Sequence, residues 1–498
     1  MFNAGCVMST SNTTGSSATL PPVKADPVPP LPEGAETIAF FKTADGVEQR
    51  GTPLRFTHQS IVFELYNPGT PPPLSTVLAP FQIAVQRRVL YAGRAVIHKV
   101  VESGTRFICE AELDETSWQD VDVNALLQGN NEVTAEFRRF TGGWQKFYKL
   151  SADFKSVVTD IQGFLHDLRV WLDQIEVGLR QLPDREHDAA ERELGKKLLP
   201  LIAPAVDSLF ERFEIACNKL PPDAYSEHRT FCHRQLHPLL MTCPFMHRIF
   251  AKPLGYAGDY EMIDMIIRNR LEGGSLFAKM LQAYILDQGP ARSVRNRAEY
   301  FTRKFVEETA RVRSRGGIAS FFSLGCGPAR EVEVFLTNHE LADHAQVKLL
   351  DFSAETLKQT STKLQRVREK YHRRTPIITV NNSVNGVLKE IARAQRPEPE
   401  YDFIYCSGLY DYLNDRVCVQ LNTYLYDQLK PGGTLIVTNF DPCNPIRNVM
   451  EYIFEWFLIH RDAPHLATLK PEQAAEGDCR VVADATGCNV FLEAYKPE

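Results

Sequence analysis

The chain has 498 residues, of which 44% are hydrophobic, 24% charged and 10% aromatic. This length predicts about three domains, and the composition excludes a wholly disordered or collagen-like chain. The net charge of −6 is spread along the chain, so nucleic acid is not an expected partner. The sequence shows no apolar run long enough to span a membrane and no secretory signal. The 11 cysteines lack paired spacing, which is typical of reduced thiols in a cytoplasmic protein.

Two regions come first in chain order. Residues 1–34 are rich in Ser, Thr and Pro and are predicted to form a disordered tail. Residues 35–145 hold short β-branched and aromatic runs separated by Gly, Pro and Asn, which predict a small β-barrel or sandwich. The runs are residues 37–41, 61–65, 81–85, 94–101 and 105–109.

Residues 150–316 are predicted to be a helical linker and cap. Residues 154–182 carry a heptad seam. Its members are Val158, Ile161, Leu165, Leu168, Leu172, Ile175, Leu179 and Leu182. The seam can pack within the chain or against a second copy, so a homodimer through this helix is one of two alternatives. A second helical region, residues 185–220, is predicted to be interrupted by Pro200 and Pro204. The cap, residues 252–300, begins with a Gly- and Tyr-rich loop at residues 252–260 that is typical of a lid.

Residues 317–498 alternate predicted strands and helices, as in an α/β fold. A buried strand at residues 318–324 runs into Gly325, Cys326 and Gly327, a turn that lets the backbone approach a ligand closely. The next strand ends at Asp351, whose carboxylate can accept both hydroxyls of a ribose.

Three further strands complete this series. The third ends in polar residues up to Ser383, and the fourth ends in Cys406, Ser407 and Gly408. A Lys-Pro-Gly-Gly turn at residues 430–433 precedes the fifth strand, and residues 489–495 are predicted to be the last.

This series resembles the class I S-adenosylmethionine (SAM) dependent methyltransferases. Gly325, Cys326 and Gly327 match the first motif of that family, and residues 430–433 match its Leu-Lys-Pro-Gly-Gly turn. The resemblance implies a Rossmann-like domain with SAM as cofactor. It assigns Asp351 to the ribose, Phe352 to the adenine, and Ser383, Cys406, Ser407 and Gly408 to the third and fourth motifs. Ser323 stands where the family often has an acid, and Ala329 replaces the third glycine.

The barrel region resembles a PilZ domain, a bacterial module that often binds cyclic di-GMP. The likeness depends on the strand pattern and on residues 49–60. Arg50 and Arg55 are separated by four residues rather than the usual three, and Phe63 occupies the place of the motif's glycine. These departures favour a degenerate, PilZ-like interaction domain over a cyclic di-GMP receptor.

The order of these parts is similar to a bacterial group that makes methyl esters of 3-hydroxy fatty acids, used as quorum signals. The resemblance implies O-methylation of a fatty acid carboxylate, a small-molecule acyl substrate. Tyr256, Tyr410 and Arg447 are the candidate catalytic residues, and Asp259, Tyr260, Asn439 and Tyr452 are the candidate substrate residues. The apolar helix at residues 449–458 lines an acyl channel or is ordinary core.

No metal site is predicted. Cys232, His233, His237, Cys243 and His247 cluster in sequence, but their spacing fits no common zinc pattern. Two other functions remain open: a cyclic di-GMP-sensing regulatory protein with an attached methyltransferase domain, and a protein methyltransferase that docks its partner on the barrel.

Overall fold

The computed structural model describes residues 37–42, 48–66, 72–85, 88–103, 106–119, 130–146, 149–393 and 399–498. The predicted tail at residues 1–34 lies outside these ranges. In chain order the described residues form a β-barrel, a set of helices and a mixed β-sheet with flanking helices. No helix in these ranges is long and apolar enough to cross a membrane.

The barrel predicted from the sequence is confirmed as a closed, six-stranded one with strand order β1-β2-β3-β6-β5-β4. Its strands are β1 (Thr37–Lys42), β2 (Glu48–Phe56), β3 (Ser60–Tyr66), β4 (Val77–Val85), β5 (Arg88–Ser103) and β6 (Arg106–Leu113). Strand β2 was not predicted, because Gly51 and Pro53 interrupt its apolar pattern. The register between β2 and β3 shifts between Pro53 and Arg55, so the proline sits at a bulge, where its missing N–H is tolerated.

Eight α-helices follow in the described residues. They are α1 (Asn130–Lys146), α2 (Ala152–Leu179), α3 (Asp184–Asn218), α4 (Tyr225–Leu240), α5 (Pro244–Ala251), α6 (Tyr260–Arg268), α7 (Leu276–Asp287) and α8 (Gly289–Ser314). Helix α1 lies inside the range that the sequence assigned to the barrel. Helix α3 continues through Pro200 and Pro204, so the predicted interruption is wrong. The proline rings cost hydrogen bonds, but apolar residues on both sides keep the helix packed against the core.

The heptad seam of α2 is buried within the chain. Val158, Ile161, Leu165 and Leu172 are at most 1% exposed and belong to one core with residues of α3, α4 and α7. Leu182 lies beyond the end of the helix and is exposed. Of the two arrangements that the seam allowed, the structure contains the intrachain one.

The C-terminal region is the predicted α/β domain. Its strands are β7 (Ala319–Leu324), β8 (Ala345–Asp351), β9 (Ile377–Asn381), β10 (Tyr401–Cys406), β11 (Leu429–Phe440), β12 (Cys479–Ala483) and β13 (Asn489–Tyr495). Its helices are α9 (Arg330–Asn338), α10 (Ala354–Lys370), α11 (Val384–Ala392), α12 (Asp415–Asp427), α13 (Arg447–Phe454) and α14 (Ala463–Thr468). Short 3-10 turns cover Glu115–Ser117, Pro222–Ala224, Glu340–His344, Tyr410–Tyr412 and Glu476–Asp478.

The sheet order is β12-β13-β11-β10-β7-β8-β9. Strands β11, β10, β7, β8 and β9 run parallel, whereas β13 is antiparallel to both β11 and β12. Residues 430–433 do not form the separate turn predicted from the sequence; they lie within β11, as an irregularity in its pairing with β10. The chain moves to one side of β7 for β8 and to the other side for β10. In such sheets ligands bind in the crevice outside the carboxyl ends of these strands.

Candidate active site

The glycine turn after β7 forms the floor of this crevice. All six residues of β7 are buried, and the backbone N–H groups of Gly325 and Cys326 both donate to the carbonyl of Leu350. Gly325 and Gly327 have positive φ angles of 70° and 51°, which other residues adopt only with strain. A Cβ atom added at Gly327 would meet nothing within 4 Å, so this glycine faces open space. The turn therefore leaves room for a ligand directly above the backbone.

Asp351 faces this turn from the end of β8. Its Oδ2 accepts a hydrogen bond from the N–H of Gly327 at 3.0 Å, and its Oδ1 accepts one from Ser353 at 2.9 Å. Burial raises the pKa of the Asp351 carboxyl, while these N–H donors oppose the shift. Each carboxylate oxygen keeps a further lone pair for an incoming hydroxyl. This geometry fits the two hydroxyls of a ribose, as the sequence predicted.

An aromatic corner flanks the carboxylate. The rings of Tyr256 and Phe352 meet edge to face with centroids 4.9 Å apart, and Phe352 remains 42% exposed. Burial raises the pKa of Tyr256 to about 12, so its hydroxyl stays protonated and able to donate a hydrogen bond. The exposed face of Phe352 can stack on a planar base.

These features belong to one cavity of about 960 Å³. This volume is at the upper end of the range for small-molecule sites, roughly 300–1,000 Å³, so the cavity has room for a cofactor and a second ligand. We call the part next to the glycine turn the cofactor half. The other part, the acceptor half, lies among the loop after β10, the lid loop at residues 252–259 and the barrel.

Arg297 from α8 lines the cavity and is only 7% exposed. Its guanidinium makes no hydrogen bond or ion pair with any residue that the structure describes, although Asp411 and Glu331 lie near enough to attract it. A Cβ atom at Gly408 would stand 2.9 Å from Arg297 Nη1, so the glycine makes room for this cation. A buried, unpaired guanidinium is suited to a planar carboxylate.

Ten of the sequence-predicted site residues line the cavity. They are Tyr256, Tyr260, Gly325, Cys326, Gly327, Asp351, Phe352, Ser383, Ser407 and Gly408. Ser383 also caps α11 by accepting a hydrogen bond from the N–H of Gly386 at 3.1 Å.

Three predicted residues stabilise the walls instead of lining them. Asp259 accepts hydrogen bonds from the N–H of Met262 at 2.8 Å and from Arg248 Nε at 2.9 Å, so it caps α6 and holds the lid loop. Asn439 Nδ2 donates to the carbonyl of Ile459 at 2.7 Å. Cys406 is fully buried and packs in the core of the sheet domain.

The other three predicted residues point elsewhere, which corrects the sequence assignment. The Tyr410 hydroxyl donates to Asn422 Oδ1 at 2.7 Å inside the core. Tyr452 packs among aromatic rings of the helical region, including Tyr225 with ring centroids 4.5 Å apart, so it belongs to the core, whereas Trp456 of the same predicted segment lines the cavity. Arg447 is half exposed and pairs with Glu451 at 2.8 Å.

Sequence reasoning missed two hydrogen-bonded residues of the acceptor half. Trp456 Nε1 donates to the Tyr412 hydroxyl at 2.8 Å, and that hydroxyl donates to the carbonyl of Ala257 at 3.3 Å. These two hydrogen bonds link the segment after α13, the loop after β10 and the lid loop around the cavity. Tyr410 and Tyr412 lie on the same short turn, and their side chains point in different directions. The sequence does not show which of the two faces the cavity.

The cysteine and histidine cluster of the helical region lies outside the cavity. The rings of His233 and His237 stack with centroids 3.9 Å apart, and burial lowers the pKa of His237 to about 4. Among the residues that the structure describes, no group of His, Cys, Asp and Glu is arranged to hold a metal ion.

Comparisons with known proteins agree with this site. Residues 254–483 match the model of a family described as putative methyltransferases. No curated protein matches the sequence.

Three solved structures share part of the fold. A possible exported protein from Bordetella parapertussis has a TM-score of 0.39 and 16% identity, with 51% of this chain and 86% of that chain covered. The N-methyltransferase NodS from Bradyrhizobium japonicum, solved with S-adenosylhomocysteine, has a TM-score of 0.29 and 14% identity, with 48% and 98% covered. Magnesium protoporphyrin IX methyltransferase from Synechocystis, also solved with S-adenosylhomocysteine, has a TM-score of 0.29 and 13% identity, with 42% and 86% covered. These scores are too low to carry a functional assignment.

The residues present fit SAM. Asp351 can hold the ribose, the ring of Phe352 can stack on the adenine, and the open glycine turn leaves space for the methionyl part. The family match covers residues 254–483, and together these observations indicate a SAM-dependent methyltransferase domain in that part of the chain.

Proposed function

We propose that the enzyme transfers a methyl group from SAM to the carboxylate of a 3-hydroxy fatty acid and so makes a methyl ester signal. The observation that carries this proposal is Arg297, the buried and unpaired guanidinium inside the cavity. It suits a carboxylate, and the acceptor half beyond it is lined in part by apolar side chains.

Apolar side chains line part of the acceptor half, beside polar and charged ones such as Asn414, Asp415 and His465. The apolar side chains include Leu413, Val417, Phe440, Trp456 and Ile459. A hydrocarbon chain gains roughly 0.8 kcal/mol for each methylene that such walls remove from water. An unpaired guanidinium at one end and apolar side chains further along match the carboxylate and the hydrocarbon chain of a fatty acid.

Methyl transfer from SAM to a carboxylate needs few catalytic groups on the protein. When bound, SAM supplies a methyl group on a sulfonium sulfur, which a carboxylate oxygen can take by in-line displacement without any proton transfer. The residues therefore need only to bind, align and exclude water. Tyr256 and Tyr412 are suited to this role, because burial raises both their pKa values and keeps them protonated donors.

One observation favours a second acceptor, the 3-hydroxyl group. Asp411 lines the cavity, and burial raises the pKa of its carboxyl to about 7. A carboxylate with this pKa can act as a general base, which a hydroxyl acceptor requires and a carboxylate acceptor does not. Methylation there would give an ether instead of an ester.

The test is incubation of the full-length enzyme with methyl-labelled SAM and a panel of 3-hydroxy fatty acids, followed by mass spectrometry. We expect a product heavier by one methyl group, from which mild alkali releases the label as methanol. An alkali-stable product would identify the hydroxyl as acceptor. Label found only on protein would support the protein methyltransferase alternative and reject a small-molecule acceptor.

Cyclic di-GMP binding at the barrel and dimer formation remain predictions. Arg50 and Arg55 are both exposed on β2, and Arg55 lies 3.5 Å from Glu110 in an ion pair. Calorimetric titration of cyclic di-GMP into the protein tests the first prediction, and light scattering tests the second.

A further inference from the structure

One end of the barrel opens on the cavity. Residues from four of its six strands line the far wall of the acceptor half: Gln49 of β2, Leu78 of β4, Val100 of β5 and Phe107 of β6. Leu74, which precedes β4, lines the same wall. Contributions from four strands indicate that the cavity reaches the end of the barrel, and His98, Lys99 and Glu102 of β5 line the cavity as well. We call the set of Gln49, Leu74, Leu78, Val100 and Phe107 the barrel mouth.

The mouth has a closed floor. Inside the barrel the rings of Phe41, Phe63 and Phe81 contact one another with centroids 5.5 to 5.8 Å apart. Leu78 is fully buried and Phe107 is 9% exposed, so the side chains at the entrance pack on this aromatic core. A ligand can therefore enter the mouth but cannot pass through the barrel.

The wall is also fixed relative to the reacting end of the cavity. The N–H of Val77 donates to the carbonyl of Gly255 in the lid loop at 2.8 Å. Ser75 Oγ donates to the carbonyl of Phe457 at 3.0 Å, one residue after Trp456. Arg94 of the barrel pairs with the buried Glu455 at 2.8 Å. A closed barrel tied at these points forms a wall at a set distance from Arg297.

We propose that the barrel mouth binds the distal end of the acceptor's acyl chain and sets the preferred chain length. This inference depends on the proposed function, because it takes the carboxylate to lie near Arg297 and the chain to run towards the barrel. A hydrocarbon end matches the apolar members Leu74, Leu78, Val100 and Phe107. The floor stops a longer chain, and a shorter chain leaves part of the mouth empty. The barrel is then a part of the substrate site.

The test enlarges one side chain of the mouth and compares that variant with the same substitution at the neighbouring residue. Val100→Trp fills the mouth, whereas Val101→Trp adds the same ring on the opposite face of β5, where Val101 is 45% exposed. Leu74→Phe approaches the mouth from a second segment and guards against a misfolded first variant. Each protein is assayed for kcat/KM on saturated 3-hydroxy fatty acids of increasing length, and its SAM affinity is measured by calorimetry as a folding control.

For Val100→Trp and Leu74→Phe we expect the optimum to move to shorter acids. The kcat/KM for the longest good substrate should fall about fourfold for each methylene excluded, or roughly 15- to 60-fold for two or three. The short acids and SAM affinity should be unaffected, and Val101→Trp should keep the wild-type profile. An unchanged profile in both mouth variants, with SAM bound normally, would overturn the role of the mouth while leaving the proposed function intact. If no acid is methylated by the wild-type enzyme, the proposed function fails, and this inference fails with it.

Discussion

The two halves of the cavity are built in different ways. The cofactor half comes from the carboxyl ends of adjacent parallel strands, where Gly325, Gly327 and Asp351 are joined by backbone hydrogen bonds. The acceptor half combines a lid loop, a loop after β10, helix α8 and the mouth of a separate barrel. The first half is a local product of strand-turn-helix units, whereas the second exists only once distant segments have packed. Substitutions in the two halves should therefore affect SAM and the acceptor separately.

The largest effect is expected in the cofactor half. Asp351→Asn should weaken SAM binding roughly 100-fold or more, because the ribose loses charge-assisted hydrogen bonds worth about 1.5–3 kcal/mol each. Calorimetry with SAM measures this loss directly. Asp167→Asn removes the same charge from an exposed site on α2 and should bind SAM normally. Equal affinity of Asp351→Asn and wild type would show that the carboxylate does not hold the cofactor.

Arg297→Gln should have the next largest effect, a fall of about 10- to 100-fold in kcat/KM, because a charged hydrogen bond to a carboxylate is lost. A rise in the acceptor's KM alone places the acyl carboxylate at Arg297. A rise in the KM for SAM alone would instead place the amino acid end of the cofactor there. Arg292→Gln, on the same helix but exposed and paired with Asp287, is the matched control.

Substitutions of Tyr410 and Tyr412 test whether the tyrosine named from the sequence or the one that lines the cavity contacts the acceptor. Tyr412→Phe leaves the Trp456 N–H without its acceptor and should lower kcat/KM about tenfold, mainly through the acceptor's KM. Tyr410→Phe should lower the free energy of unfolding by about 1–2 kcal/mol and leave KM unchanged, since its hydroxyl bonds Asn422 in the core. The reverse pattern would mean that Tyr410 contacts the acceptor.

The pH dependence of kcat distinguishes the two acceptors. Because burial raises the pKa of Asp411 to about 7, this carboxyl is charged above that pH and protonated below it. A carboxylate acceptor needs no base, so kcat should stay constant within about twofold from pH 8 to pH 6. A fall in kcat below pH 7 that disappears in Asp411→Asn would show base catalysis and a hydroxyl acceptor.

The smallest effect is expected at Arg447, a candidate catalytic residue from the sequence. Arg447→Ala removes a pair with the largely buried Glu451, but neither residue lines the cavity, so kcat/KM should change by less than about twofold. Steady-state kinetics with both substrates checks this. A large loss of kcat/KM would show that Arg447 acts in catalysis.

The same contrast explains what the sequence could predict. Gly325, Gly327 and Asp351 follow strands at spacings that by themselves bring the residues together, so their proximity could be predicted from the sequence. Tyr410, Asn439 and Tyr452 lie on the right segments, but the direction of a side chain on a short turn or helix depends on tertiary packing. Arg297 is one of several arginines on α8, and only the packing of that helix selects it. The barrel mouth depends on the register of four strands, which short-range patterns do not contain.

The most direct test of the central claim is an experimental structure of the enzyme with S-adenosylhomocysteine and a 3-hydroxy fatty acid. We expect the ribose hydroxyls to bind Asp351, the acyl carboxylate to lie next to Arg297 and the end of the acyl chain to lie at the barrel mouth. A nucleoside bound away from Asp351, or an acyl chain that leaves the cavity without touching the barrel, would contradict this expectation.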